Sequence, residues 1–329
     1  MQKNFLIVIT GPTGVGKTAA AIEVAQHLGC DIINADSRQV FKGIPIGTAA
    51  PTKEEQELVR HHFVQFKELD EYYSASQFEA DVLSLMTVLW NGESGTGIHT
   101  SPHSPLTSPL SPLSPLPSKL SPLNSDYAVM CGGSMMYIDA VCKGIDPIPD
   151  ISDDIRNAVK QEWQEHGLEP LLKELLVLDP IYFEQVDKLN PKRVVHAIEV
   201  CRQAGVPYSS LRTGQAKPRP FNIIKIGLNI EREMLFDRIN HRVDAMIEQG
   251  LEAEARKVYH LRHLNSLNTV GYKEMFAWFD GTMDRHTTIE RIKKNTRVYA
   301  KKQLTWFKRD SHITWCKPED CLETILKLL

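Results

Sequence analysis

The chain has 329 residues and a net charge of −3 at pH 7, with 42% hydrophobic and 24% charged residues. This composition excludes a fibrous or wholly disordered chain, and no apolar run approaches the roughly 20 residues of a membrane-spanning helix. The six cysteines are scattered and form no CxxC pair. We therefore expect a reduced cytoplasmic protein with no structural zinc and no membrane contact, in which any nucleic-acid site is a local basic face.

The first 35 residues predict a strand, a helix and a second strand. Residues 5–10 are apolar and rich in β-branched side chains, which is typical of a buried strand. After a glycine-rich turn, apolar positions in residues 20–28 recur at helical spacing, and Gly29 ends the helix. Residues 31–35 predict the second strand. A strand–helix–strand unit of this length implies a parallel sheet.

A low-complexity segment separates the next helix from the next strand. Residues 76–91 have helical spacing, and residues 127–131 predict a strand that Gly132 and Gly133 close. Between them, residues 101–123 repeat Ser-Pro-Leu and include seven prolines. Proline fixes φ and lacks the backbone N–H, so neither helix nor strand is expected there. We predict a disordered loop over residues 93–125, within the core.

The second half of the chain predicts a helical insertion and a return to the core. Residues 145–218 are mainly helical, with Ile155, Val159 and Trp163 on one stripe. Asn190 before Pro191 is a typical helix start, with asparagine as the N-cap. Strand-like alternation resumes at residues 221–229. We expect a catalytic core of residues 1–144 and 219–329, with residues 145–218 as an inserted helical domain.

The glycine-rich turn after the first strand matches the phosphate-loop pattern GxxxxGK[ST]. Its backbone N–H groups form a nest for phosphate oxygens at a helix N-terminus, Lys17 neutralises phosphate charge, and Thr18 can ligate Mg²⁺. The pattern predicts an α/β fold whose parallel-sheet core is of the P-loop NTPase type. The pattern predicts a polyphosphate site, which the family resemblance described below narrows to a diphosphate, and its residues are Gly11, Pro12, Thr13, Gly14, Val15, Gly16, Lys17 and Thr18.

Two further polar segments follow predicted strands, and both are expected at the carboxyl edge of the sheet. Asp36 follows the second strand and suits a general base, provided that this strand lies near the first. The alternative is that Asp36 caps a turn. Ser134 follows Gly132 and Gly133 and offers a hydroxyl group, although the residues alone favour a plain turn.

A basic stripe runs from residue 291 to residue 309, with Trp306 and Phe307 inside it. Cations interleaved with aromatic rings suit nucleic acid, through phosphate neutralisation and base stacking. The alternative is a solvated helix face. The stripe contains no acidic residue, and its eight cations are Arg291, Lys293, Lys294, Arg297, Lys301, Lys302, Lys308 and Arg309.

Together these motifs resemble the tRNA dimethylallyltransferase family, also called tRNA isopentenyltransferases. The resemblance covers nearly the whole chain and is in family order. The matching segments are GPTGVGKT, DSRQVF, IGTAAP, HHF, YSASQF, GGSMMY, NPKRVVHAIEV, VGYKE and AKKQLTWFKR. It implies transfer of a dimethylallyl group from dimethylallyl diphosphate to N6 of the adenosine on the 3′ side of the tRNA anticodon.

The resemblance also implies roles for individual residues. The catalytic set is Asp36, as acceptor of the N6 proton, Ser134, where threonine is usual, and Arg297, as a contact to the diphosphate. Mg²⁺ is expected near Thr18, and the helical insertion is expected to hold the anticodon stem-loop. The tRNA-binding set is Asp36, Ser37, Arg38, Gln39, Ser134, Arg156, Lys192, Arg193, Val194, Val195, His196, Lys273, Lys301 and Lys302.

The chain departs from the family pattern in the Ser-Pro-Leu segment and at Phe41, where tyrosine is common. Two other functions stay open from the residues alone. One is a P-loop small-molecule kinase, which would require an adenine pocket and ATP turnover. The other is a P-loop protein that binds RNA without catalysis. A monomer is expected.

Overall fold

The computed structural model describes residues 3–91 and 125–329. Six strands form one sheet in the order β3-β2-β4-β1-β5-β6, and every neighbouring pair is parallel. The strands are β1 (Phe5–Thr10), β2 (Ile32–Asn34), β3 (His61–His62), β4 (Tyr127–Cys131), β5 (Asn222–Leu228) and β6 (Ile313–Cys316).

Fifteen α-helices occur in the described residues. Those in the first part of the chain are α1 (Lys17–Leu28), α2 (Pro45–Thr48), α3 (Lys53–Leu58), α4 (Ala75–Asn91) and α5 (Met135–Lys143). The middle part contains α6 (Asp153–His166), α7 (Glu169–Leu178), α8 (Pro180–Gln185), α9 (Pro191–Ala204) and α10 (Tyr208–Leu211). The last part contains α11 (Arg232–Glu248), α12 (Leu251–Val258), α13 (Tyr272–Phe279), α14 (Arg285–Phe307) and α15 (Cys321–Leu326).

The sheet order brings the ends of β1, β2 and β4 to one edge, although β1 and β2 are not neighbours. β4 lies between them, with Ile7 opposite Val129 and Ile33 opposite Met130. Parallel strands end at the same edge, so the segments after all three strands meet there. The parallel α/β fold predicted from the sequence is confirmed.

The sheet is buried on both faces, as an all-parallel sheet requires. Successive strand residues point to opposite faces. On β1, Leu6 and Val8 join one buried cluster, which also contains Ile33 and Met130. The alternate residues of β1 join a second cluster on the other face, with Ile7 as an example.

Contacts divide the chain into two compact units. One consists of Met1–Cys142 and Arg219–Leu329, and the other is Lys143–Pro218. The second unit has its own apolar core, in which Val159 has no exposed surface while Ile155 and Trp163 are partly buried against it. The tRNA-binding role of residues 145–218 stays a prediction.

Helix α9 begins after Asn190, as predicted, but the asparagine side chain does not cap it. The backbone carbonyl of Asn190 instead accepts hydrogen bonds from the N–H groups of Arg193 and Val194. Gly205 ends the helix with φ at 67°, a left-handed conformation that glycine adopts without a Cβ penalty.

The predicted Ser-Pro-Leu loop, residues 93–125, lies outside the described residues except for Ser125. The Ser125 hydroxyl group donates to the carbonyl of Leu28 at 3.1 Å, next to the start of β4. In the described ranges, no helix has the length and apolarity needed to cross a bilayer.

A buried ion pair stabilises the unit that contains the sheet. Arg219 and Glu79 pair at 2.6 Å with side chains 8% and 9% exposed, and Arg219 also donates to the carbonyls of Ala140 and Val141. We predict that Arg219→Leu removes the guanidinium group from beside the buried Glu79 carboxylate and lowers the free energy of unfolding by about 3–5 kcal/mol. Thermal unfolding followed by circular dichroism measures this change.

The control for this variant is Lys327→Leu, which removes an exposed ion pair with Glu323. An exposed pair contributes about 0–1 kcal/mol, so its unfolding midpoint should barely move. Equal midpoints for the two variants would contradict the stabilising role given to Arg219.

Candidate active site

The phosphate loop joins β1 to α1, and its glycines adopt conformations that other residues avoid. Gly11, Gly14 and Gly16 have φ of 144°, 82° and 106°. A Cβ on Gly11 would lie 2.6 Å from the carbonyl oxygen of Leu228 on β5, so only glycine fits there. Because the first N–H groups of a helix have no helical acceptor, those of Lys17 and Thr18 are available to a ligand.

Lys17 lies inside this loop. Its ammonium group donates to the carbonyls of Gly11 at 3.2 Å and Pro12 at 2.9 Å. Burial lowers the Lys17 pKa to about 8, and the nearby Arg242 charge lowers it as well, while Cys131 and Asp36 act in the opposite direction. An anion bound in the loop would offset this desolvation and favour the protonated lysine.

Two arginines of α11 also reach the loop, and the sequence analysis missed both. Arg242 donates to the Thr13 hydroxyl group at 3.0 Å, and Arg238 donates to the carbonyl of Val15 at 3.3 Å. Burial lowers the pKa of Arg242, and the Asp36 charge partly opposes this effect. The two arginines are four positions apart, beside the apolar stripe of α11, and this spacing was the available signal.

Gln303 of α14 connects the phosphate loop with the turn after β4. Its Oε1 accepts the N–H of Thr13 at 2.9 Å, and its Nε2 donates to the carbonyl of Gly133 at 2.9 Å. The side chain is 1% exposed. A Cβ on Gly133 would lie 2.3 Å from Nε2, so glycine is needed for this contact. Gln303 lies in the segment AKKQLTWFKR, and no role was predicted for it from the sequence.

Asp36 lies at the same edge and caps the turn that follows β2. Its Oδ1 accepts the N–H of Arg38 at 2.9 Å and that of Gln39 at 3.4 Å. The other oxygen, Oδ2, has no hydrogen-bond partner within residues 3–91 and 125–329. Turn capping was the alternative interpretation of Asp36, and the geometry allows one carboxylate to cap the turn and still present a free oxygen.

The Asp36 charge also acts on Tyr299 of α14, a residue missed by the sequence analysis. Burial, followed by the Asp36 charge, raises the pKa of Tyr299 to about 12. The phenol therefore stays protonated at neutral pH.

Ser134 connects the turn after β4 with the turn after β2. Its hydroxyl oxygen accepts the N–H of Ser37 at 2.8 Å and the two hydroxyl oxygens are 3.1 Å apart, while the Ser134 N–H donates to Ala35 at 3.2 Å. The close approach requires Gly132, since a Cβ there would lie 2.2 Å from the Ala35 carbonyl oxygen. The residues alone favoured a plain turn at Ser134. The structure shows that Ser134 also joins this turn to the turn after β2.

The side chains of Arg38 and Gln39 are held by neighbouring backbone. Arg38 Nη1 donates to the carbonyl of Asn265 at 2.7 Å, and Gln39 Nε2 donates to those of Thr48 at 3.0 Å and Ala49 at 2.9 Å. Phe41, where tyrosine is common in the family, is 6% exposed and packs in the core.

The basic stripe lies on α14 and the two residues that follow it, and its two aromatic residues differ in exposure. Phe307 is 3% exposed, whereas Trp306 is half-buried and donates its indole N–H to Asp139 at 2.9 Å. The base-stacking role suggested for Phe307 is therefore wrong, and that of Trp306 stays a prediction. Lys301 and Lys302 remain exposed.

Arg297 is half-buried on α14 and binds a neighbouring helix. It donates to Asn240 of α11, and its guanidinium carbon lies 6.0 Å from the centroid of the Phe236 ring. No hydrogen bond joins Arg297 to the phosphate loop in the part of the chain that the structure describes. Its diphosphate contact stays a prediction.

The other predicted tRNA-binding residues differ in exposure. Lys273 is exposed on α13. In the helical unit, α9 exposes Lys192, Arg193 and His196 and leaves Val195 half-buried, while Arg156 is half-buried on α6. Val194 has no exposed surface and packs in the core, so its predicted contact with RNA is wrong for its side chain.

A cation at the phosphate loop would have oxygen ligands, the kind that Mg²⁺ prefers. No cluster of three or more His, Cys, Asp and Glu side chains that could hold a metal occurs among the described residues. A cation there would depend on the Thr18 hydroxyl group, ligand phosphate oxygens and water. Mg²⁺ binds in this way, since it keeps several waters and uses substrate phosphates.

The fold and this edge define a protein of the P-loop type, in which the phosphate loop lies at the same sheet edge as a carboxylate. A family model described as IPP transferase matches residues 39–94 and 123–310. A relative from Parabacteroides distasonis, named tRNA dimethylallyltransferase 2, is 50% identical over 96% of this chain and 95% of its own length. Another of that name, from Porphyromonas gingivalis, is 47% identical over 100% and 99%. The chain belongs to the IPP transferase family.

Solved structures agree with this assignment. The full-length tRNA isopentenylpyrophosphate transferase of Bacillus halodurans is 30% identical, with a TM-score of 0.65 and coverage of 99% of this chain and 95% of that chain. A eukaryotic dimethylallyltransferase acting on tRNA has a TM-score of 0.74 at 22% identity, over 96% of this chain and 74% of that chain. At 22% identity, this similarity shows only that the two proteins share a fold.

We predict that the affinity for dimethylallyl diphosphate falls as the pH rises through 8. Lys17, with a pKa of about 8 in the free protein, binds the diphosphate best when protonated. The terminal phosphate of a monoester has its last pKa near 6, so it is already ionised in this range. Calorimetric titration should give about ten-fold weaker binding at pH 9 than at pH 7.

Lys17→Arg is the control for this titration, because a guanidinium group stays protonated over the whole range. Its affinity should not change with pH. A flat profile for the unaltered protein would contradict the position given to Lys17.

We predict that Gln303→Leu weakens the binding of inorganic diphosphate and lowers the unfolding midpoint. The substitution leaves the N–H of Thr13 and the carbonyl of Gly133 without their partner, at about 1–3 kcal/mol for each buried group. Calorimetry and thermal unfolding measure the two effects. Gln26→Leu, an exposed change on α1, is the control, and equal behaviour of the two variants would refute the bridging role.

Proposed function

We propose that this chain is a tRNA dimethylallyltransferase. It transfers the dimethylallyl group of dimethylallyl diphosphate to N6 of the adenosine next to the anticodon on its 3′ side, and it releases diphosphate. The observation that carries the proposal is the 50% identity, over 96% of the chain, with a relative of that name. The meeting of a phosphate loop with a carboxylate at one sheet edge supports it independently.

The reaction needs a base close to the acceptor amine, and Asp36 is proposed for this role. The N6 nitrogen attacks the allylic carbon, the bond from that carbon to the diphosphate oxygen breaks, and the N6 proton passes to the carboxylate. Asp36 has one oxygen bound to its own turn and one without a partner among the described residues, which suits proton acceptance. Ser134, held against Ser37, is proposed to position the acceptor.

The leaving diphosphate carries concentrated negative charge, which the loop is suited to stabilise. The protein already orients Lys17, Arg242 and the first N–H groups of α1. These groups therefore need no rearrangement as negative charge develops on the leaving diphosphate. We propose that Arg297 also contacts the diphosphate, as the family resemblance implies. We propose that the Thr18 hydroxyl group helps to hold Mg²⁺, which would neutralise part of the diphosphate charge.

We assign tRNA binding to exposed or edge residues on both units. On the first unit these are the segment Asp36–Gln39, together with Lys273, Lys301 and Lys302. On the helical unit they are Arg156, Lys192, Arg193, Val195 and His196. A cytoplasmic location agrees with the reduced state of all six cysteines, and we propose that the protein acts as a monomer.

A P-loop small-molecule kinase was the alternative, and it is not favoured. The relatives over the whole chain are named dimethylallyltransferases. A kinase would turn over ATP with a small acceptor and would have no use for exposed cations on two units.

The test is a transfer assay with purified protein, unmodified tRNA and labelled dimethylallyl diphosphate, with and without Mg²⁺. Mass spectrometry of the nucleosides should detect one five-carbon unit on adenosine. Asp36→Asn keeps an oxygen for the turn but is no base, so transfer should fall about 10²–10⁴-fold. The exposed change Asp70→Asn is the control. Phosphate release from ATP, without any gain on adenosine, would contradict the proposal.

A further inference from the structure

A hollow of about 730 Å³ opens on the helical unit, where α8, α9 and α10 meet. This volume lies in the range of small-ligand sites. No acidic residue lines it. Its lining includes Tyr182, Lys192, Arg193, His196, Tyr208 and Arg212. A hollow with cations and no carboxylates favours an anionic ligand.

Of the basic side chains that line the hollow, His196 lies 3.8 Å from Glu199, and the other three are cations outside any ion pair of the described residues. Within the described residues, neither Lys192, Arg193 nor Arg212 forms an ion pair. Arg202, on the same helix α9 but outside the hollow, pairs with Glu162 at 2.7 Å and Glu174 at 2.6 Å. In this unit the arginine outside the hollow is therefore paired with carboxylates, whereas the three cations at the hollow form no ion pair with any residue that the structure describes.

The floor of the hollow consists of two buried tyrosines that support Arg212. The rings of Tyr182 and Tyr208 pack edge to face with centroids 4.8 Å apart. The guanidinium carbon of Arg212 lies 5.5 Å and 5.6 Å from the two centroids, while the residue itself is exposed. An arginine held over aromatic rings in this way loses little conformational freedom when a ligand binds its open side.

Two aspartates fix the segments that carry these side chains. Asp179, which has no exposed surface, accepts the N–H of Tyr182 at 2.9 Å and that of Ser209 at 2.6 Å. Asp146 accepts the N–H groups of Thr213 at 3.0 Å and Gly214 at 3.1 Å, directly after Arg212. The backbone on either side of the hollow is therefore set before any ligand arrives.

We propose that this hollow receives one unstacked nucleotide of the tRNA, with its base against the Arg212 guanidinium and its phosphate beside Lys192 and Arg193. Proteins that recognise single-stranded RNA stack splayed bases on arginine planes and aromatic rings. The inference rests on the proposed function and extends it, because it assigns Arg212, Tyr182 and Tyr208 to RNA binding.

The first test compares Arg212→Lys with Arg212→Ala in the full chain. Fluorescence anisotropy measures the affinity for an unmodified anticodon stem-loop RNA. Lysine keeps the charge and loses the plane, so both variants should bind about ten-fold more weakly. Lys160→Ala, which removes an exposed cation of α6 away from the hollow, is the control and should bind normally. Normal binding by Arg212→Lys would overturn the stacking contact and leave only a phosphate contact.

The second test uses stem-loops with one abasic nucleotide at a time. At one loop position, removal of the base should weaken binding to the unaltered protein and have no further effect on Arg212→Ala. Abasic penalties that are equal in both proteins at every position would overturn the proposal. Adenosine monophosphate is added as a competitor, and its displacement of the stem-loop at micromolar concentration would instead indicate a site for free nucleotides.

Dimethylallyl transfer to full tRNA, measured in parallel, separates this inference from the proposed function. Transfer by the unaltered protein with no change in Arg212→Ala refutes only the hollow. Absence of both RNA binding and transfer in the unaltered protein refutes the proposed function, and the hollow with it.

Discussion

The amide group of Gln303 is the contact on which the arrangement of the sheet edge depends. One end accepts the N–H of Thr13 in the phosphate loop, and the other donates to the carbonyl of Gly133 after β4. A primary amide offers an acceptor oxygen and a donor nitrogen on one planar group, so a single side chain satisfies both backbone groups. This amide fixes the distance between two segments. One is the loop proposed to bind the prenyl donor, and the other is the turn that carries Ser134.

Charge at this edge is concentrated and only partly balanced. Lys17 and Arg242 are buried near each other, and burial lowers the pKa of both. Asp36 offsets part of this charge, but one of its oxygens is bound to its own turn. Lys17 and Arg242 hold the loop through their hydrogen bonds, and their positive charge in excess of Asp36 favours an anionic ligand such as the proposed diphosphate. The same reasoning applies to the helical unit, where Arg202 is fully paired and Lys192, Arg193 and Arg212 are not.

The elements that follow local rules were predictable from the sequence. The phosphate loop, its helix and the strand before Asp36 depend on neighbouring residues, because glycine conformations, N-terminal N–H groups and β-branched runs act over short distances. The role of Gln303 was not predictable, since its partner Thr13 is 290 positions away. The spacing of Arg238 and Arg242 was a signal on α11, but Thr13, 229 positions from Arg242, could not be identified as the partner. Phe307 shows the opposite error. Its place in a basic stripe suggested base stacking, but only the packed structure shows that its side chain is buried.

The most direct measurement is a crystal structure with an unreactive dimethylallyl diphosphate analogue and an anticodon stem-loop RNA. The account predicts diphosphate oxygens on the N–H groups at the start of α1 and on Lys17, with the N6 amine within hydrogen-bond distance of the second oxygen of Asp36. Diphosphate bound away from the phosphate loop, or an acceptor amine out of reach of Asp36, would contradict it.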